Sequence, residues 1–218
     1  KAAKFLARPY LLVLFIVTFI DAVIHNGYFV MAGDFLGSPA VGIKPEWIMP
    51  VMSIGQVAEI VTMAFLGTVL AKLGWKTTMI LGILGHAARF GVFAFFPQNT
   101  AVIIAVQVLH GICYAFFFAT LYIFIDAAFP KDVRSSAQSL FNLLVLGLGD
   151  LAAKWLFIPL QDSLKTDAGI DYQKLFLVPA LMALAAAVLL LLAFWPPRRF
   201  DDADIARDDH GTESPNIT

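Results

Sequence analysis

Long uninterrupted apolar runs constrain this chain more than any other feature. Six of them lie at Pro9–Gly33, Trp47–Leu70, Thr77–Phe96, Ala101–Phe129, Ser136–Leu160 and Leu175–Trp195. A helix crosses a lipid core about 30 Å thick with about 20 residues at about 1.5 Å each, and each run meets that length. The runs are continuous rather than alternating, which points to helices and not to barrel strands. The breaks between them carry turn chemistry: Gly37-Ser38-Pro39, Gly74, Pro97-Gln98-Asn99, Pro130-Lys131-Asp132 and Pro196-Pro197. Composition agrees. The 218 residues are 60% hydrophobic and 14% charged, whereas a soluble domain has about 45–50% and about 25%. A soluble core of this size cannot hide so much apolar surface. The sequence therefore predicts an all-α integral membrane protein of six transmembrane helices, with the lipid bilayer as its solvent. The first run holds Asp21, His25 and Asn26 in its second half, too long and too polar a segment for a cleaved signal peptide.

Basic residues set the expected orientation. Arg8 and two lysines (Lys1, Lys4) precede the first span; Lys72 and Lys76 follow the second; Lys131 and Arg134 follow the fourth; Arg198 and Arg199 follow the sixth. The intervening connections are neutral or acidic on balance. Every second connection is basic, so both termini are expected in the cytoplasm. The bundle is expected to occupy residues 1–199. Residues 200–218, with Asp201, Asp202, Asp204, Asp208, Asp209 and Glu213, read as a disordered acidic cytoplasmic tail.

Several classes of function drop out. A net charge of −1 gives no basis for a nucleic-acid partner. A single cysteine, Cys113, excludes an internal disulfide or a cysteine-rich metal site, and the four histidines show no ligand spacing. No phosphate-binding loop or nucleophile elbow is present, and no nucleophile–base pair. The chain reads as neither an enzyme nor a cofactor carrier.

Polar residues at depth carry what remains. Counted from each helix start, Asp21 and Glu59 lie about 18 Å into the membrane, Gln56 and His110 about 14 Å, His25 about 24 Å, Tyr114 about 20 Å and Phe118 about 26 Å. A carboxylate at such depth is neutralised, paired or solvated in a cavity, and intramembrane acids are functional by default. Gln56 reads either as a ligand contact or as interhelical glue. His110, Tyr114 and Phe118 share one face at i, i+4, i+8, which suits a binding wall and core packing equally. Arg89, about two turns from the outer end of its helix, reads as structural rather than substrate-facing. Asp150 and Lys154, at i and i+4, form a structural pair, and Asp126 joins an inner-face charge cluster with Lys131 and Arg134.

The segment Gly67-x-x-x-Ala71-Lys72-x-Gly74-Trp75-Lys76 resembles the cytoplasmic-loop signature of the major facilitator superfamily, with Ala71 where the family carries an acid. Four further stretches resemble bacterial nucleoside:proton symporters: Ser53-Ile-Gly-Gln56-Val-Ala-Glu59, His86-Ala-Ala-Arg89-Phe-Gly-Val-Phe-Ala, His110-Gly-Ile-Cys-Tyr114-Ala-Phe-Phe-Phe118 and Val133-Arg134-Ser-Ser-Ala-Gln138-Ser-Leu-Phe141. The resemblance covers nearly the whole chain. It implies the C-terminal half of a twelve-helix transporter of the bacterial inner membrane, whose N-terminal six-helix half is missing. The six spans then divide into two inverted three-helix repeats.

The same resemblance implies nucleoside contacts at Gln56, Glu59, Tyr114 and Phe118. Asn26 takes the second of the family's two amide positions on the first helix; the first falls on Val23, and Asp21 or His25 is expected to compensate. Proton coupling is expected at Glu59 or Asp21. The expected function is secondary active transport, proton-coupled nucleoside uptake by alternating access. Uptake of another polar solute, or a six-span scaffold without transport, are the alternatives.

Overall fold

The computed structural model describes residues 8–167 and 169–196. The acidic tail expected at 200–218 and the cations Lys1, Lys4, Arg198 and Arg199 lie outside the described residues. Among the described residues, five helices are long and apolar enough to cross a membrane: α1 (Pro9–Gly37), α2 (Pro45–Phe95), α3 (Thr100–Ala128), α4 (Lys131–Ser163) and α5 (Tyr172–Ala193). A two-stranded antiparallel hairpin, β1 (Lys165–Thr166) with β2 (Gly169–Ile170), pairs Lys165 with Ile170 between α4 and α5.

Local sequence explains the helix limits. Pro9 and Pro45 open α1 and α2, where the missing amide hydrogen costs nothing. At the end of α1, Ser38 donates its amide (3.1 Å) and its hydroxyl (2.7 Å) to the Phe35 carbonyl. The chain then turns at Gly42, with φ of 74°. Asn99 and Asp171 cap α3 and α5 by accepting from the amides of Val102 (3.2 Å) and Lys174 (3.1 Å). Helix α2 has 51 residues, about 76 Å at 1.5 Å each, far beyond a core of about 30 Å. Inside it Gly74 adopts φ 72° and ψ 174°, and the helix is two arms meeting at that kink. The Thr78 hydroxyl donates to the Gly74 carbonyl (2.8 Å) and closes the first turn of the second arm. Helices α3 and α4 each carry a π-helical stretch, Tyr114–Ala119 and Leu143–Leu148.

The second arm of α2 packs between α3 and α5, while α1 packs on α4 and α5. Phe35 of α1 sits in an aromatic cluster with Phe93 (5.0 Å between centroids), Phe176 (4.7 Å) and Tyr172 (5.0 Å). Glycines set the closest helix approaches. A Cβ on Gly82 would lie 2.8 Å from the Phe117 amide nitrogen, and one on Gly85 2.7 Å from the Cys113 sulfur. The first arm of α2 meets α3 where Gly111 lies against the backbone of Gly55, Ala58 and Glu59. Much of the rest of that arm is bare, with Val57, Ile60, Val61 and Phe65 all exposed, while Val51, Met52 and Leu66 are buried.

Candidate functional site

The crossing of α3 over the first arm of α2 fixes the positions of most expected site residues. Because Gly111 has no side chain, α3 rests directly on the Gly55–Glu59 backbone, which aligns Glu59 with the Tyr114 face one turn further along. Glu59 and Tyr114 are each half-buried. Gln56 is exposed on the same arm; with its amide nitrogen turned to the backbone it donates to the Met52 carbonyl at 2.8 Å. Phe118 is buried behind this surface, 5.5 Å from the Tyr114 ring and 5.2 Å from His25. The structure thus brings Glu59, Tyr114, Phe118 and His25 into one neighbourhood drawn from three helices, with Gln56 at its edge.

Asn26 stands apart. Its side-chain nitrogen donates to the carbonyls of Ala22 (2.8 Å) and Val145 (3.1 Å), so it ties α1 to the π-helical stretch of α4. It also lines a cleft of about 620 Å³ between α1 and α4, together with Phe29, Asp34, Asp150, Lys154 and Gln161. Lys154 pairs with Asp150 at 2.6 Å there, and the Gln161 amide donates to Asp34 at 2.8 Å. Asp126 pairs with Arg134 at 3.0 Å at the α3–α4 turn. Between the same two helices the Tyr122 hydroxyl donates to the Asn142 side-chain oxygen at 2.5 Å.

Behind the Tyr114 wall lies a group that sequence reasoning did not assemble. Arg89 is wholly buried, with Nη1 on His110 Nδ1 (2.5 Å) and Nη2 facing His86 Nδ1 (3.4 Å). Its guanidinium also lies over the rings of Tyr28 (4.2 Å) and Phe90 (4.9 Å). Tyr28 in turn donates to Gln107 at 3.1 Å. Asp21 is fully buried, its Oδ2 3.8 Å from His86 Nε2, and neither oxygen has a hydrogen-bond partner among the described residues. His25 stacks on His110 with centroids 4.7 Å apart. A signal was available: His86 and Arg89 stand at i and i+3, so they share a face at membrane depth.

The fold matches that of solved transporters. The crystal structure of nucleoside transporter NupG superposes with a TM-score of 0.78 at 19% identity, covering 90% of this chain and 51% of NupG. A NupG mutant superposes with a TM-score of 0.80 at 20% identity. The chain is therefore an integral membrane helix bundle with the major facilitator fold. The sequence model of the nucleoside H+ symporter family matches residues 1–199, and the chain belongs to that family. The putative nucleoside transporter YegT of Escherichia coli K12 is 30% identical over 144 residues, 64% of this chain and 33% of YegT. The xanthosine permease of the same strain is 29% identical over 153 residues, 69% of this chain and 36% of that protein. The chain spans about half the length of the solved transporter and about a third of each curated relative is aligned.

Proposed function

We propose that this chain forms the C-terminal half of a proton-coupled nucleoside uptake protein of the bacterial inner membrane. Six spans, counting the two arms of α2 separately, then form two inverted triplets with both termini in the cytoplasm. The observation that carries the reading is the family match across residues 1–199. It is supported by a polar and aromatic surface at membrane depth built from Glu59, Tyr114, Phe118 and His25, with Gln56 at its rim. Aromatic faces accept a nucleobase, while the Gln56 amide and the Glu59 carboxylate accept from base and ribose donors. Asn26 extends the polar lining towards the α1–α4 cleft.

The N-terminal bundle faces this surface, and the two bundles rock about substrate held at the midplane. Phe118 is buried in the present arrangement, so it contacts substrate only after the Tyr114 and His25 rings shift. Glu59 and Asp21 are the acids deep enough to carry the coupled proton. Labelled uridine and adenosine are the test ligands for the complete transporter in proteoliposomes. Saturable binding, and accumulation that follows an inward proton gradient, are expected. Uptake that ignores an imposed pH gradient removes the coupling, and failure to bind either nucleoside removes the substrate class.

A further inference from the structure

The buried Asp21–His86–Arg89–His110 group is absent from the surface just described, yet with His25 it holds the buried carboxylate, imidazole and guanidinium groups of α1, α2 and α3 among the described residues. Its hydrogen bonds fix its chemistry. An arginine guanidinium only donates, so the nitrogens that face it must accept. Nδ1 of His110 and Nδ1 of His86 both face Arg89. Both rings are therefore neutral and carry their hydrogen on Nε2. In His86 that Nε2–H stands 3.8 Å from Asp21 Oδ2, one small adjustment short of a hydrogen bond. Arg89 thus holds His86 as a donor aimed at Asp21, and neither ring can take a proton without losing its bond to Arg89. A cation is excluded from the histidine cluster for the same reason, because the guanidinium already occupies its centre.

The groups facing Asp21 and Arg89 come from each packed element. Helix α1 supplies His25 and Tyr28, and the second arm of α2 supplies His86 and Arg89 themselves. Helix α3 supplies Gln107, His110, Cys113 and Tyr114. The first arm of α2 brings Glu59, whose backbone lies against Gly111. Helix α5 presents Phe176 against Phe90, and the charges of α4 nearest α1, Asp150 and Lys154, pair with each other in the cleft. Asp21 and Arg89 meet across His86, whose ring stands 3.8 Å from the carboxylate on one side and 3.4 Å from the guanidinium on the other.

We propose that Asp21 is where the coupled proton rests, and that Arg89 and His86 are the positioning residues that convert its protonation into movement of the substrate wall. The inference rests on the transport reading above and assigns its proton. In the arrangement seen, neither Asp21 oxygen has a hydrogen-bond partner among the described residues, while Arg89 is engaged with His110. An ionised carboxylate left unpaired in an apolar core costs several kcal/mol, so this is the arrangement of a neutral Asp21. When the proton leaves, the carboxylate draws the His86 Nε2–H and the guanidinium towards itself. Arg89 then loosens its hold on His110. His110 stacks on His25 and lies against Gly55 on the first arm of α2, one turn from Glu59. The release therefore reaches Tyr114, Phe118 and Glu59 through two ring contacts and one helix crossing. The balance is one proton: it enters on Asp21 from one side of the membrane and leaves Asp21 to the other, with both imidazoles neutral throughout.

The test uses the full-length transporter and two separate readouts. Infrared difference spectra between acid and neutral pH detect a protonated buried carboxyl without any substrate. Proteoliposomes report pH-driven nucleoside accumulation and, without a gradient, nucleoside counterflow. Asp21→Asn is expected to remove a carboxyl band, abolish gradient-driven accumulation and leave counterflow running. Arg89→Lys keeps the cation but not the fork, and His86→Gln keeps a donor but not the ring. Both are expected to shift the pH midpoint of that band, and they carry the test if Asp21→Asn does not fold. A band and an accumulation profile that all three variants leave untouched overturn the proposal. A wild-type protein that shows the Asp21 band but moves no nucleoside upholds the assignment of the proton and overturns the transport reading instead.

Discussion

Gly111 shows how much of the site depends on single positions. A Cβ there would collide with the Gly55 carbonyl oxygen, the Ala58 carbonyl carbon and the Glu59 amide nitrogen, all backbone atoms that cannot rotate away. Gly111→Ala must push α3 off the first arm of α2, at a cost of about 1–3 kcal/mol typical of overpacking. A lower melting temperature in detergent together with weakened nucleoside binding is expected; an unchanged melt removes the close crossing. Glu59→Gln acts differently. It leaves the crossing intact and removes a charged acceptor from the wall, where a hydrogen bond to a charged group contributes about 1.5–3 kcal/mol. Affinity should fall roughly tenfold or more, while gradient-driven accumulation persists at saturating nucleoside. That Glu59, Tyr114 and Phe118 lie near one another was largely legible in the sequence, because Tyr114 and Phe118 share a face on one helix and Glu59 is an acid at depth on another. The Arg89 group was not. Counting depth places each ionisable residue along its own helix but says nothing of rotation, and rotation decides that Asp21, His86 and His110 all turn towards Arg89.

At the scale of the element, hydropathy located the apolar stretches of the five long helices and missed their polar ends. Helix α4 begins at Lys131 rather than Ser136, because its first turn (Lys131, Asp132, Arg134) is polar helix that an apolar window discards. Helix α1 runs on to Gly37 past Gly33, and Asp34 sits within it. The π-helical stretches leave no mark in the apolar pattern at all. Gly74 did carry a legible signal, and its conformation explains why: φ 72° with ψ 174° is a region open essentially to glycine alone. Gly74→Ala should cost about 1–3 kcal/mol, read as a lower melting temperature, and a neutral effect means that the two arms meet otherwise. Asp171 gives a pH-dependent counterpart at the start of α5. Its carboxylate accepts from the Lys174 side chain (2.9 Å) and amide (3.1 Å), and these bonds hold it below the ordinary carboxylate range. A depressed folded-state value stabilises above the unfolded value and loses that contribution as pH falls through the folded one. Stability should therefore decline on acidification below the ordinary aspartate range, and Asp171→Asn should flatten that decline. An identical acid limb in the variant removes the cap from the account.

On the scale of the whole molecule, the exposed face of α2 bears on the two-bundle reading proposed above. The first arm of α2 is hydrophobic yet only 11% of its most apolar window is buried. It carries Gln56 and Glu59 on the same stretch that leaves Val57, Ile60 and Val61 bare. Lipid can cover the aliphatic residues, but polar groups at that depth need a polar partner or water. The chain meanwhile spans about half of the solved transporter that shares its fold. On the function proposed above, a second six-helix bundle seated over this arm would supply the opposite wall of the site and the body against which this one rocks. The 218-residue chain alone should therefore insert into membranes and fail to transport. Joining it in one reading frame to an N-terminal bundle of the same family should create saturable nucleoside uptake that neither half shows alone. Measuring initial rates of labelled uridine uptake into vesicles containing the chain, the other bundle or the joined protein separates the cases. Saturable, nucleoside-specific uptake by the 218-residue chain by itself would falsify the two-bundle account, because substrate would then cross along a surface closed within these helices.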